Sequence, residues 1–200
     1  MKTLIALSLT AAAAISSLAS GSITGTLGAA TQISPPIVAD VPFLMGPNVQ
    51  VWDEQQNRTG LVFADLTTNA GNSAFPTPGV LTGNFDSHFI HFTGGSAGFA
   101  SGTVFFSNTI AAVAWNDSNL DLTDATWGAL GTTYPTGQVF RGMNTNGFLS
   151  VSGNAIHFNF NALNPAFEIE QVRVWTLVPA PGACSLAAIG GLLAFRRRRD

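Results

Sequence analysis

In the stretch Ala155-Ile156-His157-Phe158-Asn159-Phe160-Asn161, apolar and polar residues alternate from Ile156 onward. Ile156, Phe158 and Phe160 therefore share one face of an extended chain, and His157, Asn159 and Asn161 share the other, as a half-buried strand requires. Shorter runs of β-branched, aromatic and alternating residues recur at 48–52, 60–66, 87–92, Phe99–Phe106 and 110–115. A last run, 167–177, changes phase near Glu170 and Gln171, which predicts a bulge. Gly, Asn, Asp and the prolines at 35, 36, 42, 47, 76, 78, 135 and 165 fall between these runs and mark turns or edges. There is no internal repeat and no long helical periodicity. Many short strands joined by Gly-rich turns predict an all-β protein, a single β-sandwich or jelly-roll-like domain over 20–177.

Both ends of the chain read differently. Lys2 precedes an apolar run over 4–15, and Ser17 and Ala19 put small residues at the −3 and −1 positions of a cleavage between Ala19 and Ser20. That is the layout of a secretory signal peptide over 1–19, too short for an ordinary spanning helix. At the other end, 178–200 holds Pro179-Ala180-Pro181, an apolar stretch over 185–195, and Arg196, Arg197, Arg198 and Arg199. As a helix, 181–195 would span roughly 22 Å at 1.5 Å per residue, short of a hydrocarbon core of about 30 Å. The arginines act as a positive-inside stop, which predicts a short hydrophobic helix serving as a transient inner-membrane anchor.

Without these ends the body is acidic and almost free of basic residues. From Ser20 to Val178 there is no lysine. Three arginines, at 58, 141 and 173, stand against ten Asp and Glu, a formal charge of −7 where the whole chain has −3. Such a surface repels phosphate backbones, so no nucleic-acid partner is expected. Without lysine, neither a P-loop nor Schiff-base catalysis is available to the body. The one cysteine, Cys184, lies in the tail, so no intramolecular disulfide is possible and packing must supply stability.

Several constellations bear on chemistry. Gly94-Gly95-Ser96-Ala97-Gly98 matches G-x-S-x-G, but a nucleophile elbow needs a following helix, and the run after it reads as a strand. His88 and His91 are three apart on a strand and point to opposite faces, so they cannot grip one metal; one should face outward and one should be packed. Glu168 and Glu170 share a face, the equipment of a glycosidase or, more simply, a solvated rim. Asp117, Asn119, Asp121 and Asp124 imitate the first ligands of a Ca²⁺ loop, although Leu122 and Gly128 replace its glycine and its last acid; the alternative is an Asx-rich turn. Calcium is the one candidate cofactor, and otherwise none is expected. Trp52, Trp115, Trp127, Tyr134 and Trp175 are candidates for stacking on sugars or for the core.

The C-terminal segment resembles the PEP-CTERM sorting signal of bacteria: a Pro-x-Pro element, a short apolar helix and a terminal arginine cluster, with Ala180 where the family's element carries Glu. The resemblance covers about the last twenty residues. It implies recognition by an exosortase-type processing enzyme, removal of the tail, and display at or release from the cell surface. The body is similar to secreted proteins of unassigned activity that carry this signal. The similarity runs through 86–92, 130–137 with Arg141-Gly142, and 171–174. It implies a secreted β-sandwich and carries over no catalytic residue. The reading that results is an exported, exosortase-processed, non-enzymatic protein of the cell surface or extracellular matrix, making weak contact with glycan. Its partners are signal peptidase, the exosortase and extracellular polysaccharide. The alternative is a secreted hydrolase acting on extracellular polysaccharide.

Overall fold

A computed structural model describes residues 21–40, 47–93, 98–162 and 169–179. The predicted leader with Ala19 and Ser20 lies outside the described residues, as do 94–97 with Ser96 of the G-x-S-x-G stretch, Glu168 and the tail from Ala180 through Arg196–Arg199; Pro179 is described and exposed.

The protein is all-β with two sheets and one short helix. The strands are β1 (Ile23–Gly28), β2 (Ala30–Gln32), β3 (Val49–Asp53), β4 (Arg58–Ala64), β5 (Gly71–Asn72), β6 (Gly79–Phe92), β7 (Phe99–Phe106), β8 (Ile110–Ala114), β9 (Phe148–Ser152), β10 (Ala155–Asn161) and β11 (Glu170–Leu177); α1 is Asp117–Trp127. A five-stranded sheet runs β1-β7-β10-β9-β5. A six-stranded sheet runs β2-β3-β6-β11-β8, with β4 also on β6. All pairings are antiparallel except β2 with β3. The long β6 serves two partners on one edge: its first half pairs with β4 and its second with β3.

The alternation in β10 works as expected. Ile156, Phe158 and Phe160 enter a core with Val104 and Phe106 of β7 and Leu149 and Val151 of β9. This core is closed by Val49, Val51, Ile90, Phe92, Val113, Val172 and Val174 of the other sheet. The opposite face of the six-stranded sheet is also covered. Trp52, Phe85, Phe89, Ala112, Ala114 and Trp175 pack there against Leu120 and Trp127 of α1, with Tyr134 at the margin. Trp127 meets Trp175 and Phe85 edge-on, each at 6.1 Å between centroids, and its Nε1 donates to the Leu61 carbonyl at 2.7 Å. Each such large side chain removed from water contributes about 1.5–3 kcal/mol. Ser20–Val178 form one compact unit.

Two expectations need correction. The segment 117–127 is a helix rather than a loop. Its buried face, Leu120, Thr123, Asp124 and Trp127, has helical spacing but is half polar, so it leaves no hydrophobic periodicity to read. The register shift in β11 lies between Trp175 and Thr176 against β8, where Ala111 is the extra residue, and not near Glu170. The phase change near Glu170 and Gln171 arises because β11 is central and covered on both sides: every residue from Glu170 to Thr176 is buried.

Candidate functional site

The face of the six-stranded sheet beneath α1 carries a buried polar cluster. Arg173 projects from β11 toward Glu54, which follows β3, and toward Asp124 on α1. Its Nε donates to Glu54 Oε2 at 2.7 Å, and its Nη2 to Glu54 Oε1 at 3.0 Å and Asp124 Oδ1 at 3.1 Å. Its Nη1 donates to Thr123 Oγ1 at 2.7 Å. The guanidinium also lies over the rings of Phe89 and Tyr134, at 4.8 and 5.1 Å. Arg141 bonds from the other side: Nη1 reaches Asp121 Oδ1 and Asp124 Oδ2, both at 2.6 Å, and Nε donates to Gln171 Oε1 at 2.9 Å. Both arginine side chains and that of Glu54 are fully buried.

The protonation states follow from this geometry. Burial opposes the charge on Arg173, but the Glu54 carboxylate overrides it and holds the guanidinium above its ordinary pKa. Burial, then the same carboxylate, keeps the Tyr134 phenol protonated well above its usual range, and its hydroxyl donates to Glu54 Oε1. Gln171 Nε2 donates to the Ala39 carbonyl at 2.8 Å and faces His91 Nδ1 at 3.0 Å. An amide N–H can only donate, so Nδ1 is the acceptor and the imidazole proton sits on Nε2. Burial, and then the Arg141 charge, push the His91 pKa down to about 3, so the ring is neutral. This assembly fixes charges and ties β3, β6, β11 and α1 together.

Beside it lies a cleft. A cavity of about 170 Å³ is lined by Trp115, Asn116, Asp117, Phe140, Gly142, Met143, Asn144, Ile169 and Glu170. A second, of about 330 Å³, shares Trp115, Asn116, Met143 and Asn144 with it and adds Ser73, Thr145 and Gly147. Asp65 anchors its floor, accepting from the amides of Trp115 and Asn116 at 2.7 and 2.9 Å and from Asn119 Nδ2 at 2.7 Å. Asp117 holds the facing loop, with Oδ1 accepting from Gly142 N at 2.7 Å and Oδ2 from Phe140 N at 3.0 Å. Gly142 is required there, because a Cβ would stand 2.0 Å from the Trp115 carbonyl oxygen. Glu170 Oε1 accepts from Asn161 N at 3.1 Å.

The candidate residues are thus scattered. Asp117 accepts from the amides of Phe140 and Gly142, Asn119 donates to Asp65, and Asp121 and Asp124 share Arg141; among the described residues no three His, Cys, Asp or Glu converge as ligands for one metal. His88 and His91 do face opposite ways, but both are fully buried and neither is outward. Glu170 is buried too, not part of a solvated rim. Gly98, with φ +69°, leads into β7 rather than a helix. Trp52, Trp127 and Trp175 are wholly in the core and Trp115 is 9% exposed. Among the described residues the exposed aromatics are phenylalanines: Phe75, Phe99, Phe140 and Phe148. No protein-family model, curated protein or solved structure matches the chain.

The sequence reading missed one arrangement entirely. His88 Nδ1 lies 2.7 Å from Asp53 Oδ1 and its Nε2 lies 3.1 Å from Thr176 Oγ1, the order of an acyl-transfer triad. Thr176 is fully buried, so its hydroxyl offers no nucleophile to a substrate. The group clamps the start of the body instead. Asp53 accepts from Ile23 N at 3.1 Å, and buried Asp86 accepts from Gly21 N and Asn57 N at 2.5 and 2.6 Å.

Proposed function

We propose that the chain is an exported, exosortase-processed protein of the cell surface or extracellular matrix, and that its mature body is a non-enzymatic β-sandwich of jelly-roll-like kind. The observation that carries the reading is the sequence of the tail: Pro179-Ala180-Pro181, the apolar run over 185–195 and the four arginines follow one another, at the opposite end from a leader over 1–19. Signal peptidase would cut between Ala19 and Ser20, and an exosortase-type enzyme would cleave off the tail and free the body from its membrane anchor. Among the described residues no helix is long and apolar enough to cross a membrane. A binding or scaffolding role is supported because the charged groups under α1 are tied into hydrogen bonds with one another inside the chain. Fractionation of the native host, comparing the natural chain with a variant in which Arg196 to Arg199 are all alanine, tests the reading. Loss of surface display with accumulation of the unprocessed precursor is expected; equal display of both forms contradicts it.

One observation favours a second reading, a secreted hydrolase of extracellular polysaccharide. Asp117 and Glu170 come from different elements and line the same cavity beside Trp115, the equipment of a two-carboxylate glycosidase. Against it, both oxygens of Asp117 already accept backbone amides. Release of reducing ends from polysaccharide by the protein, abolished in Glu170→Gln, would establish the hydrolase.

A further inference from the structure

The five-stranded sheet has one face in the core and one in solvent, and none of its five strands contains Asp, Glu, Lys or Arg. The chain is 10% charged overall, and the body's ten acids and three arginines all lie outside these strands. The pairing registers set the outward side chains in rows. Thr103, His157 and Ser150 form one; Ser101, Asn159 and Phe148 form the next; Phe99 and Asn161 form a third. His157 Nδ1 is held by Thr103 Oγ1 at 2.7 Å, which orients the exposed ring and leaves Nε2 for a ligand. Asn159, Ser101 and Phe99 stand in solvent, Phe99 at 69% and Phe148 at 43% exposure. With strands about 4.8 Å apart and a rise of about 3.4 Å per residue, two strands and two residues separate the rings by on the order of 12 Å.

We propose that this face binds a neutral polysaccharide chain lying across β9, β10 and β7, with apolar sugar faces on Phe148 and Phe99 and hydroxyls on the Asn159 and Asn161 amides. The ring spacing exceeds one sugar ring and so suits a polymer. Amides and hydroxyls both donate and accept, as sugar hydroxyls do, which matches polar groups without any charge to neutralise. An anionic polymer would find no cation on this face and a net charge of −7 on the body. A cationic one would favour the acids elsewhere. A second copy of the chain is a poorer occupant, because obligate interfaces resemble apolar cores and this face is mostly polar. The surface meets such a polymer only outside the cell, so its biological setting rests on the exported reading.

The test is affinity electrophoresis of the full-length chain, in mild detergent, through gels cast with soluble neutral polysaccharides (hydroxyethylcellulose, dextran, galactomannan) or with anionic alginate. Retardation in at least one neutral gel is expected, and Phe148→Ala and Phe99→Ala should each weaken it about tenfold. Leu122→Ala, which trims an exposed apolar side chain on α1 over the other sheet, should leave it unchanged. Circular dichroism melts confirm that each variant is folded. Free migration in every neutral gel overturns the proposal, as does retardation indifferent to Phe148 and Phe99, or retardation by alginate alone. Concentration-dependent dimerisation abolished by the same two variants would assign the face to a second copy and overturn it equally. Loss of binding leaves export untouched, and failed export leaves binding in the gel untouched, so the two readings fail separately.

Discussion

Replacing Arg173 by methionine isolates what the buried network contributes. Met has similar length and fits between the Phe89 and Tyr134 rings, so the lost quantity is the charge and its hydrogen bonds. Asp124 keeps Arg141, at 2.6 Å from its Oδ2, so the damage concentrates on Glu54. That carboxylate, with no exposed side-chain surface, would keep only hydroxyl partners: Ser87 Oγ at 2.5 Å and the Tyr134 phenol. Stranding one member of a buried ion pair costs about 3–5 kcal/mol. For a domain of this size each kcal/mol moves Tm by about 2–4 °C, so a fall of roughly 6–20 °C is expected by calorimetry at neutral pH. Glu54→Gln alone should cost less, because Arg173 retains Asp124. The double variant removes both charges and should recover part of the Arg173→Met loss, with a coupling energy on the order of 2 kcal/mol. A single-variant cost below about 1 kcal/mol, or a double variant no better than Arg173→Met, would refute the assignment of the network as a stabilising tie.

Acid sensitivity follows from His91. Its folded pKa of about 3 lies below the ordinary 6.5, so the unfolded chain takes up a proton that the folded one refuses, and stability falls as pH drops from about 6.5 toward 3, by at most about 1.4 kcal/mol per pH unit from this group. His91→Gln should flatten that part of the acid limb in urea titrations, and an unchanged slope would contradict it. Gly142→Ala sets a methyl against the Trp115 carbonyl and should lower Tm by several degrees while opening the cleft, read as increased quenching of Trp fluorescence by acrylamide. Chelator should leave the thermal midpoint unchanged, since Asp117, Asp121 and Asp124 are occupied by amides and arginines; a fall of several degrees would restore the calcium reading of α1.

The strands that alternate were legible because burial on one face writes itself as period two. β7 and β10 have the expected bounds, and β3, β4 and β8 shift by a residue or two. The first half of β6 was hidden because it forms a partly exposed ribbon with β4, where Leu61 and Val80 face solvent. β1, β2, β5 and β9 are short or glycine-containing and are defined by their neighbours rather than by their own residues. Helix α1 escaped because its inward Thr123 and Asp124 serve two arginines that arrive from elsewhere in the chain, a tertiary demand with no local signature. The same holds for the candidate sites. Opposite facing of His88 and His91 follows from strand geometry alone, whereas burial of both depends on what covers each face. Likewise, the tryptophans read as candidate sugar platforms fill the core, while exposed phenylalanines occupy the sheet face that is free of charge.

The intact mass of the mature protein, isolated from its native host, tests the central claim most directly. The account requires a product that begins near Ser20 and ends before Arg196, recovered from the cell surface or the medium. A mature chain that retains Met1 or Arg196 to Arg199 would contradict it.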